Sequence, residues 1–273
     1  SPLDIMNHRT YPDTVNIAYS NFDTHGYTVH PAFILKDPDE EGIHANTPYR
    51  ALLPKGLEGI LVTGLGISAH RDAVPILRMQ PCIQNQGYAM GVAASLAAAE
   101  NKPLRQIDLK ALQKHLVEIG SLPESVLFDG DSYPIPKERI EEAVKNVVND
   151  YQDLPLLLAQ QDVSLPLLRK AYHSAEDIKK QMEDSTRDRL GRTDPGDRRD
   201  PKLIYAHILG MLGDPTGSQA LLDAVLSREW DEGWRFTGMG QFGGSVSPLD
   251  SLIIALGRRS EEHTSELQSP VVI

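Results

Sequence analysis

The sequence is poor in several features that assign a protein to a class at once. Its single cysteine, Cys82, cannot form an internal disulfide. Its 27 Lys and Arg residues are outnumbered by 38 Asp and Glu, and the net charge of −11 argues against a nucleic-acid partner. No apolar run approaches the roughly 20 residues that a membrane-spanning helix needs. We therefore expect a soluble globular protein with no nucleic-acid partner and no membrane span.

Two kinds of site motif are also absent. The chain contains no G-x-G-x-x-G after an N-terminal strand with an acidic residue about 20 positions later, which is the pattern that holds the ADP half of a dinucleotide. His25, His30 and His70 lack the spacing of metal ligands, so we expect no metal site. The chain opens at Ser1 without a methionine, so an upstream signal peptide and the localisation are left open.

A change in composition divides the chain. Residues 1–120 carry strand-like stretches, glycines and one helix of small residues, whereas the pattern from Pro136 onward is helical. Three prolines and an Asp-Gly turn interrupt the stretch between them, "GSLPESVLFDGDSYPIP". The sequence therefore predicts a first domain over 1–120, a linker over 121–135 and an α-helical region over 136–258. A helix capped by Asp108 is predicted to close the first domain, with Gly120 past its end.

The end of the chain is set apart from this organisation. Residues 259–269, "RSEEHTSELQS", share nothing with the apolar pattern before them and resemble the translation of a widely used sequencing adapter. We expect residues 259–273 to be an artefactual tail and leave them out of the fold assignment. The alternative is a polar, disordered terminus.

The stretch "GILVTGLGISAHRDA", from Gly59 to Ala73, is predicted to be a buried strand that runs into a glycine turn. Gly64 and Gly66 allow this turn to pass close to a bulky ligand. The next segment, "SAHRDAVPILRMQPCIQN", is polar and twice broken by proline, which favours a loop that lines a ligand.

A helix of small residues follows the loop and is predicted to begin near Gln86 and Gly87. Its first N–H groups suit a phosphate or an electron-rich carbonyl. One face is nearly bare of side chain, which permits close packing on a strand or a flat ring, because small residues recur there at helical spacing: Gly87, Gly91, Ser95 and Ala98.

The stretches "TPYRALLPKGLEGILVTGLGISAHRDA" and "RMQPCIQNQGYAMGVAASLAAA" resemble the C-terminal part of the FAD-dependent oxidoreductase family. The family pattern contains PYR, LIPKGLENLLVAGR, IS, an arginine and then GQAAGTAAA, and the resemblance covers about residues 20–100. It implies an FAD cofactor and an α/β flavoprotein fragment, the C-terminal part of an FAD-binding Rossmann-like domain. An all-α HEAT-like repeat region would follow it.

The resemblance also implies which residues face the cofactor. Gly64 and Ser68 would lie at the ribityl and pyrophosphate side, and Gln86 with Gly87 at the pyrimidine edge of the flavin ring. Leu65 departs from the family, because many members have arginine there. Tyr88 is a second departure, beside the cofactor edge. The full set of implied cofactor-binding residues is Gly64, Gly66, Ser68, Arg78, Gln86 and Gly87.

Hydride transfer to flavin needs a small-molecule substrate over the ring and a nearby acid or base. His25, His70 and Arg71 are the catalytic candidates, because histidine titrates near neutral pH. The alternative is that the histidines are satisfied within the fold or face solvent, and that Arg71 pairs with an acid such as Asp72. Because the ADP-binding motif is missing, we expect the complete enzyme to carry it upstream of Ser1 and this chain alone to bind FAD poorly.

The second region suggests a function of another class. "PKLIYAHILGMLGDPTGSQALLDAVL" reads as two amphipathic helices joined by a tight turn and looks like a HEAT repeat. Trp230 and Trp234 lie in a glycine-rich stretch that either lines a sugar-binding surface or packs between repeats. The chain is therefore either part of a flavin-dependent oxidoreductase that acts on a small organic, carbohydrate-like substrate, or a non-catalytic scaffold. In both cases the repeats offer a surface for a protein or a glycan.

Overall fold

A computed structural model of the chain describes residues 1–23, 28–36, 41–176, 200–228, 235–236, 244–245 and 247–258. The strands are β1 (Thr14–Ser20), β2 (Ile43–Pro48), β3 (Arg235–Phe236) and β4 (Gly244–Ser245). The α-helices are α1 (Pro2–Met6), α2 (Pro31–Leu35), α3 (Val74–Leu77), α4 (Gln80–Glu100), α5 (Leu109–Glu118), α6 (Lys137–Asn146), α7 (Leu154–Ala159), α8 (Gln161–His173), α9 (Pro201–Met211), α10 (Ser218–Leu226) and α11 (Pro248–Gly257).

The chain divides into two compact units. Of the described residues, the first unit contains 1–23 and 41–134, and the second contains 28–36 and 135–258. The short helix α2 thus belongs to the second unit although it lies early in the sequence. The predicted extents of the two domains stay a prediction.

The first unit is built around a two-stranded antiparallel sheet. β1 pairs with β2 so that Ala18 faces Ala45, and the register shifts between Thr14 and Asn16. The helices α3, α4 and α5 pack against β1. Fully buried residues of these elements include Ala18, Ile76, Ala89, Ala93 and Leu112.

The helix α5 confirms its sequence prediction in detail. The Asp108 side chain caps it by accepting a hydrogen bond from the Ala111 N–H at 3.0 Å. Leu112 and Leu116 are fully buried on its inner face, and Gly120 follows the helix end with a φ of +76°. The capping residue and the glycine therefore fix both ends of this helix.

Three local predictions before α5 are wrong. The segment from Ser68 to Asn85, predicted as a loop, contains a 3₁₀ turn at Arg71–Ala73, the helix α3 and the beginning of α4. Residues 59–63 form no strand; Val62 N–H donates to the Leu52 carbonyl, but no described strand lies beside this stretch to continue a ladder. The helix α4 begins at Gln80 and not near Gln86. Pro81 lies in its first turn, where the missing N–H costs nothing because those N–H groups have no partner within the helix.

The second unit is helical apart from the short strands β3 and β4, which pair with each other. Its centre is α9, which is buried on every side from Ile204 to Met211 and packs on α8, α10 and α11. A Cβ on Gly210 would lie 2.9 Å from the Ala255 carbonyl oxygen, and one on Gly217 would lie 2.5 Å from Ala206 Cα. The two glycines thus let neighbouring helices approach closely.

The predicted helix pair at 201–226 is present as α9 and α10, joined through a 3₁₀ turn at Pro215–Gly217. Its assignment as a HEAT repeat stays a prediction. Trp230, Trp234 and the tail 259–273 lie outside the described residues. Across the described ranges, no helix combines the length and apolar character needed to cross a bilayer.

Candidate functional site

The glycine turn of the first unit is a single 3₁₀ turn at Gly64–Gly66. Gly64 has a φ of +65°, a conformation that favours glycine, and it is buried against Ile83 of α4. Four backbone N–H groups at and after the turn, those of Gly64, Gly66, Ile67 and Ser68, are engaged within the protein. Gly66 N–H donates to Thr63, Ile67 N–H to Gly64 and Ser68 N–H to the Ala51 carbonyl. The turn therefore does not present a row of free donors to a phosphate.

Gln86 holds the turn against the helix. Its side-chain oxygen accepts the Gly64 N–H at 3.1 Å, and its side-chain nitrogen donates to the Leu77 carbonyl at 3.3 Å. The side chain is fully buried. Since α4 begins six residues earlier, the Gln86 backbone is inside the helix and its side-chain amide, not its N–H, organises the site.

The small-residue face of α4 is open. A Cβ placed on Gly87 or Gly91 would meet no atom within 4 Å, and Ser95 and Ala98 are also exposed. The stretch from Gln86 to Ala99 contains no charged residue, so this exposed face is apolar and flat. A helix without a polar face is normally covered by other groups.

Polar residues flank this face. Tyr88 is about half exposed, and its hydroxyl lies 2.9 Å from His115 Nε2 of α5. Its ring stacks on that imidazole with 18° between the planes. The pair is a hydroxyl and an imidazole joined by one hydrogen bond, which is an arrangement that can hold or pass a proton.

The predicted catalytic residues have different surroundings. His70 Nδ1 accepts the Asp72 N–H at 3.1 Å and thereby caps a 3₁₀ turn, and burial lowers the pKa of His70 below its ordinary value of 6.5. Arg71 is exposed, and its guanidinium makes no hydrogen bond or ion pair with any described residue, Asp72 included. His25 lies outside the described residues.

Arg78 of the predicted cofactor set is half-buried and turns toward the segment after β1. Its Nη2 donates to the Asp23 carbonyl at 3.2 Å and lies 3.5 Å from the Asp23 carboxylate. Cys82 is buried in α4, as a small apolar residue would be. Among the described residues no three His, Cys, Asp or Glu side chains cluster as a metal site would require.

A second polar centre in the first unit consists of stacked arginines and tyrosines. The Arg9 guanidinium lies 4.2 Å from the Tyr133 ring centre and 5.0 Å from that of Tyr11, and Arg50 lies 4.9 Å from the Tyr11 ring centre. Arg9 makes a bidentate contact with Asp131, at 2.9 Å for each bond. These bonds lower the pKa of Asp131. Asp131 is therefore ionised beside Arg9, whereas burial raises the pKa of Tyr11 and of Tyr133, so both phenols stay neutral.

This stack borders a cavity of about 400 Å³. Its apolar lining residues include Ile5, Ile67 and Leu77, and its polar ones include Arg9, Asn46, Arg50 and Ser68. Of the predicted cofactor residues, Ser68 alone lines it. The cavity thus connects the loop after the glycine turn to the arginine–tyrosine stack.

Sequence reasoning missed this cavity because its polar residues are far apart along the chain. Arg9, Arg50 and Ser68 come from separate segments of the chain, and no periodicity joins them. The local signals are Arg50, which lies in the PYR motif, and Ser68, which belongs to the predicted cofactor set. Only the fold brings these groups together.

The second unit contains a serine–histidine contact whose geometry indicates a structural role and not a catalytic one. Ser251 Oγ lies 2.9 Å from His207 Nε2, and the Tyr151 hydroxyl lies 2.7 Å from His207 Nδ1. Ser251 also donates its proton to the Ile34 carbonyl at 2.5 Å, so its oxygen accepts from the imidazole. A nucleophilic serine needs the opposite direction of proton donation. All three side chains are buried, and they link α2, α9 and α11.

Comparison with known proteins gives a family match over the first part of the chain. Residues 2–116 match the model of a family described as FAD dependent oxidoreductase. This range, less than half of the chain, contains the glycine turn, α4, the Tyr88–His115 pair and most of the cavity lining. No curated protein and no solved structure is significantly similar to the chain. The first part of the chain is thus similar to FAD-dependent oxidoreductases.

Proposed function

We propose that the first unit supplies the C-terminal part of the FAD site of an FAD-dependent oxidoreductase, which transfers a hydride between a small organic substrate and flavin. The observation that carries this proposal is the family match over residues 2–116, which includes the open, uncharged face of α4. FAD supplies the hydride acceptor or donor in such an enzyme.

The open face of α4 fits the flat ring better than the phosphates. Gly87 and Gly91 leave room for a planar group to lie on the helix, because neither position would bring a Cβ near another atom. The engaged N–H groups of the glycine turn do not favour a phosphate at Gly64. We therefore assign Gly87 to contact with the ring and Gln86 to holding the turn beside it.

Several side chains are available for the substrate and its proton. Tyr88 and Arg71 are exposed, His115 is partly buried, and all three belong to the matched range. His70 Nδ1 accepts the Asp72 N–H, so Nε2 carries the proton of the neutral ring and would act toward a substrate as a hydrogen-bond donor. The residue His25 keeps its proposed catalytic role from the sequence.

The sequence lacks the motif that binds the ADP half of FAD. We propose that this half is held by residues that precede Ser1 in a longer protein, and that this chain alone is inactive. The helical region would then be a second, attached part, with HEAT-like repeats as a surface for a protein or glycan.

The test is a flavin titration of the chain extended upstream through its reading frame. Gly87→Leu and Gly91→Leu place bulk on the open face, and Leu is a good helix former, so both variants are expected to fold. We expect both to weaken FAD binding by roughly tenfold or more, since each displaces the ring from its contact surface. Glu100→Leu, at the end of the same helix, is the matched control and should bind FAD as the parent does. Equal FAD affinity in all four proteins would overturn the role of α4.

A further inference from the structure

We infer that the cavity beside the arginine–tyrosine stack binds a neutral polyhydroxylated small molecule, with Arg50 as its principal hydrogen-bond donor. Its role as the substrate cavity rests on the proposed function, whereas binding itself does not need flavin.

The size of the cavity sets the first limit. Its volume of about 400 Å³ lies near the lower end of the range of roughly 300–1,000 Å³ that small-ligand pockets occupy. It therefore suits a ligand with a single ring or a six-carbon chain and is too small for a dinucleotide.

The charges around the cavity leave no excess of cations. The two guanidinium groups of Arg9 and Arg50 pair with three carboxylates, those of Asp4, Asp13 and Asp131. No surplus positive charge is left to hold an anion, and an added carboxylate would meet these acids.

Free hydrogen-bonding groups nevertheless remain at the cavity. Arg9 uses Nε, Nη1 and Nη2 on Asp131 and Asp4. Arg50 uses only Nη1 in a hydrogen bond, to Asp13, and its Nη2 is 3.9 Å from the Asp131 carboxylate. Among the described residues, none accepts a hydrogen bond from Arg50 Nε, Arg50 Nη2 or the Ser68 hydroxyl. None of them donates a hydrogen bond to the side-chain oxygen of Asn46. These groups comprise donors and acceptors, and hydroxyl groups pair with both.

Arg50 is held in place for such a contact. One face of its guanidinium lies over Tyr11. The Asp13 carboxylate accepts hydrogen bonds from the Arg50 backbone N–H and from Arg50 Nη1. Tyr11 is itself fixed between Arg9 and Arg50 and is only 7% exposed. The donor is therefore preorganised, while the apolar wall at Ile67 and Leu77 can cover the C–H side of a sugar or polyol.

The experiment measures binding of three probes with the same six-carbon skeleton to the purified chain by calorimetry and ligand-observed NMR. D-glucose and D-sorbitol are neutral, and D-gluconate carries a carboxylate. We expect saturable binding of a neutral probe, and gluconate to bind more weakly. The inference is overturned if neither neutral probe binds up to about 100 mM, where even a weak site would fill, or if gluconate binds as tightly as the neutral probes.

Substitutions locate the binding. Arg50→Gln should weaken binding of the neutral probe roughly tenfold or more, the usual effect of losing a charge-assisted hydrogen bond. Arg105→Gln is the matched control, because Arg105 also pairs with a carboxylate of the first unit but lies off the cavity. An unchanged affinity in Arg50→Gln would overturn the assignment.

A filled cavity provides a second variant in case Arg50→Gln unfolds. Ala69→Leu adds bulk to the lining and should abolish binding at an unchanged melting temperature; retained binding would contradict the inference. Flavin uptake is measured separately, so a chain that takes up FAD when extended but binds no polyol refutes this inference alone.

Discussion

At the scale of single residues, two buried threonines of the hairpin differ in their hydrogen bonding. Thr14 and Thr47 are both fully buried. The Thr14 hydroxyl donates to the Tyr11 carbonyl at 3.0 Å, whereas the Thr47 hydroxyl has no hydrogen-bond partner. A buried polar group without a partner carries its full desolvation cost.

These two residues give a matched prediction. Thr47→Val should leave the free energy of unfolding unchanged or raise it by about 1 kcal/mol, because an unpaired hydroxyl is replaced by a methyl. Thr14→Val should lower it by about 1 kcal/mol, because a satisfied hydrogen bond is lost. Urea unfolding of both variants measures the difference, and a larger loss in Thr47→Val than in Thr14→Val would show that the Thr47 hydroxyl is bonded in solution.

His70 predicts a pH dependence of stability. Burial lowers its pKa in the folded chain below the ordinary value of 6.5. The unfolded chain therefore binds the proton at a higher pH than the folded one, so stability is complete above 6.5 and falls as the pH drops through the lowered pKa. Protonation at Nδ1 also removes the acceptor for the Asp72 N–H.

The matched variant is His70→Asn, which retains a capping acceptor but does not titrate. We expect the melting temperature of the parent to fall more than that of the variant between about pH 7.5 and pH 5. Parallel decreases in the two proteins would refute the assignment of this pH dependence to His70.

At the scale of elements, the glycines around α9 decide how closely helices pack. A Cβ on Gly217 would meet the backbone of Ala206, which cannot move aside as a flexible side chain can. We expect Gly217→Ala to lower the free energy of unfolding by about 1–3 kcal/mol through overpacking. Gly257→Ala, whose new Cβ would meet no atom within 4 Å, is the control and should be neutral or slightly stabilising. Equal thermal shifts in the two variants would contradict the close approach.

Elements with local signals were predictable from the sequence. Asp108 and Gly120 bound α5, and the apolar spacing of α9 and α10 gave both helices, because caps and helical periodicity are local properties. The prediction of a strand at Gly59–Thr63 was wrong, since a strand depends on a partner that the sequence does not identify. The start of α4 was predicted wrongly because a proline such as Pro81 can mark the start of a helix as readily as a break in one.

The candidate site was predictable only where family motifs mark it. Gly64, Gln86 and Gly87 belong to those motifs, but the contact of the Gln86 amide with the Gly64 N–H was not foreseen. Arg50 joins Tyr11 and Asp13 across 37 or more positions, and such contacts follow from the tertiary fold and not from spacing.

At the scale of the whole molecule, the two units differ in what supports a function for each. Most of the first unit lies in the range that matches the FAD dependent oxidoreductase family, residues 2–116, and this unit holds the open face of α4 and the cavity. The second is a helical unit in which α9 is the buried centre and the Tyr151–His207–Ser251 chain links its helices. The oxidoreductase function proposed here therefore depends on the first unit.

The most direct test of that function is the flavin content of the chain extended upstream through its reading frame. The protein is purified, its visible spectrum is recorded, and any cofactor released by denaturation is identified by mass. The proposal predicts the two visible absorption bands of oxidised flavin and release of FAD in near-equimolar amount. A colourless protein that also takes up no added FAD would contradict it and would favour a binding scaffold on a flavoprotein-like fold.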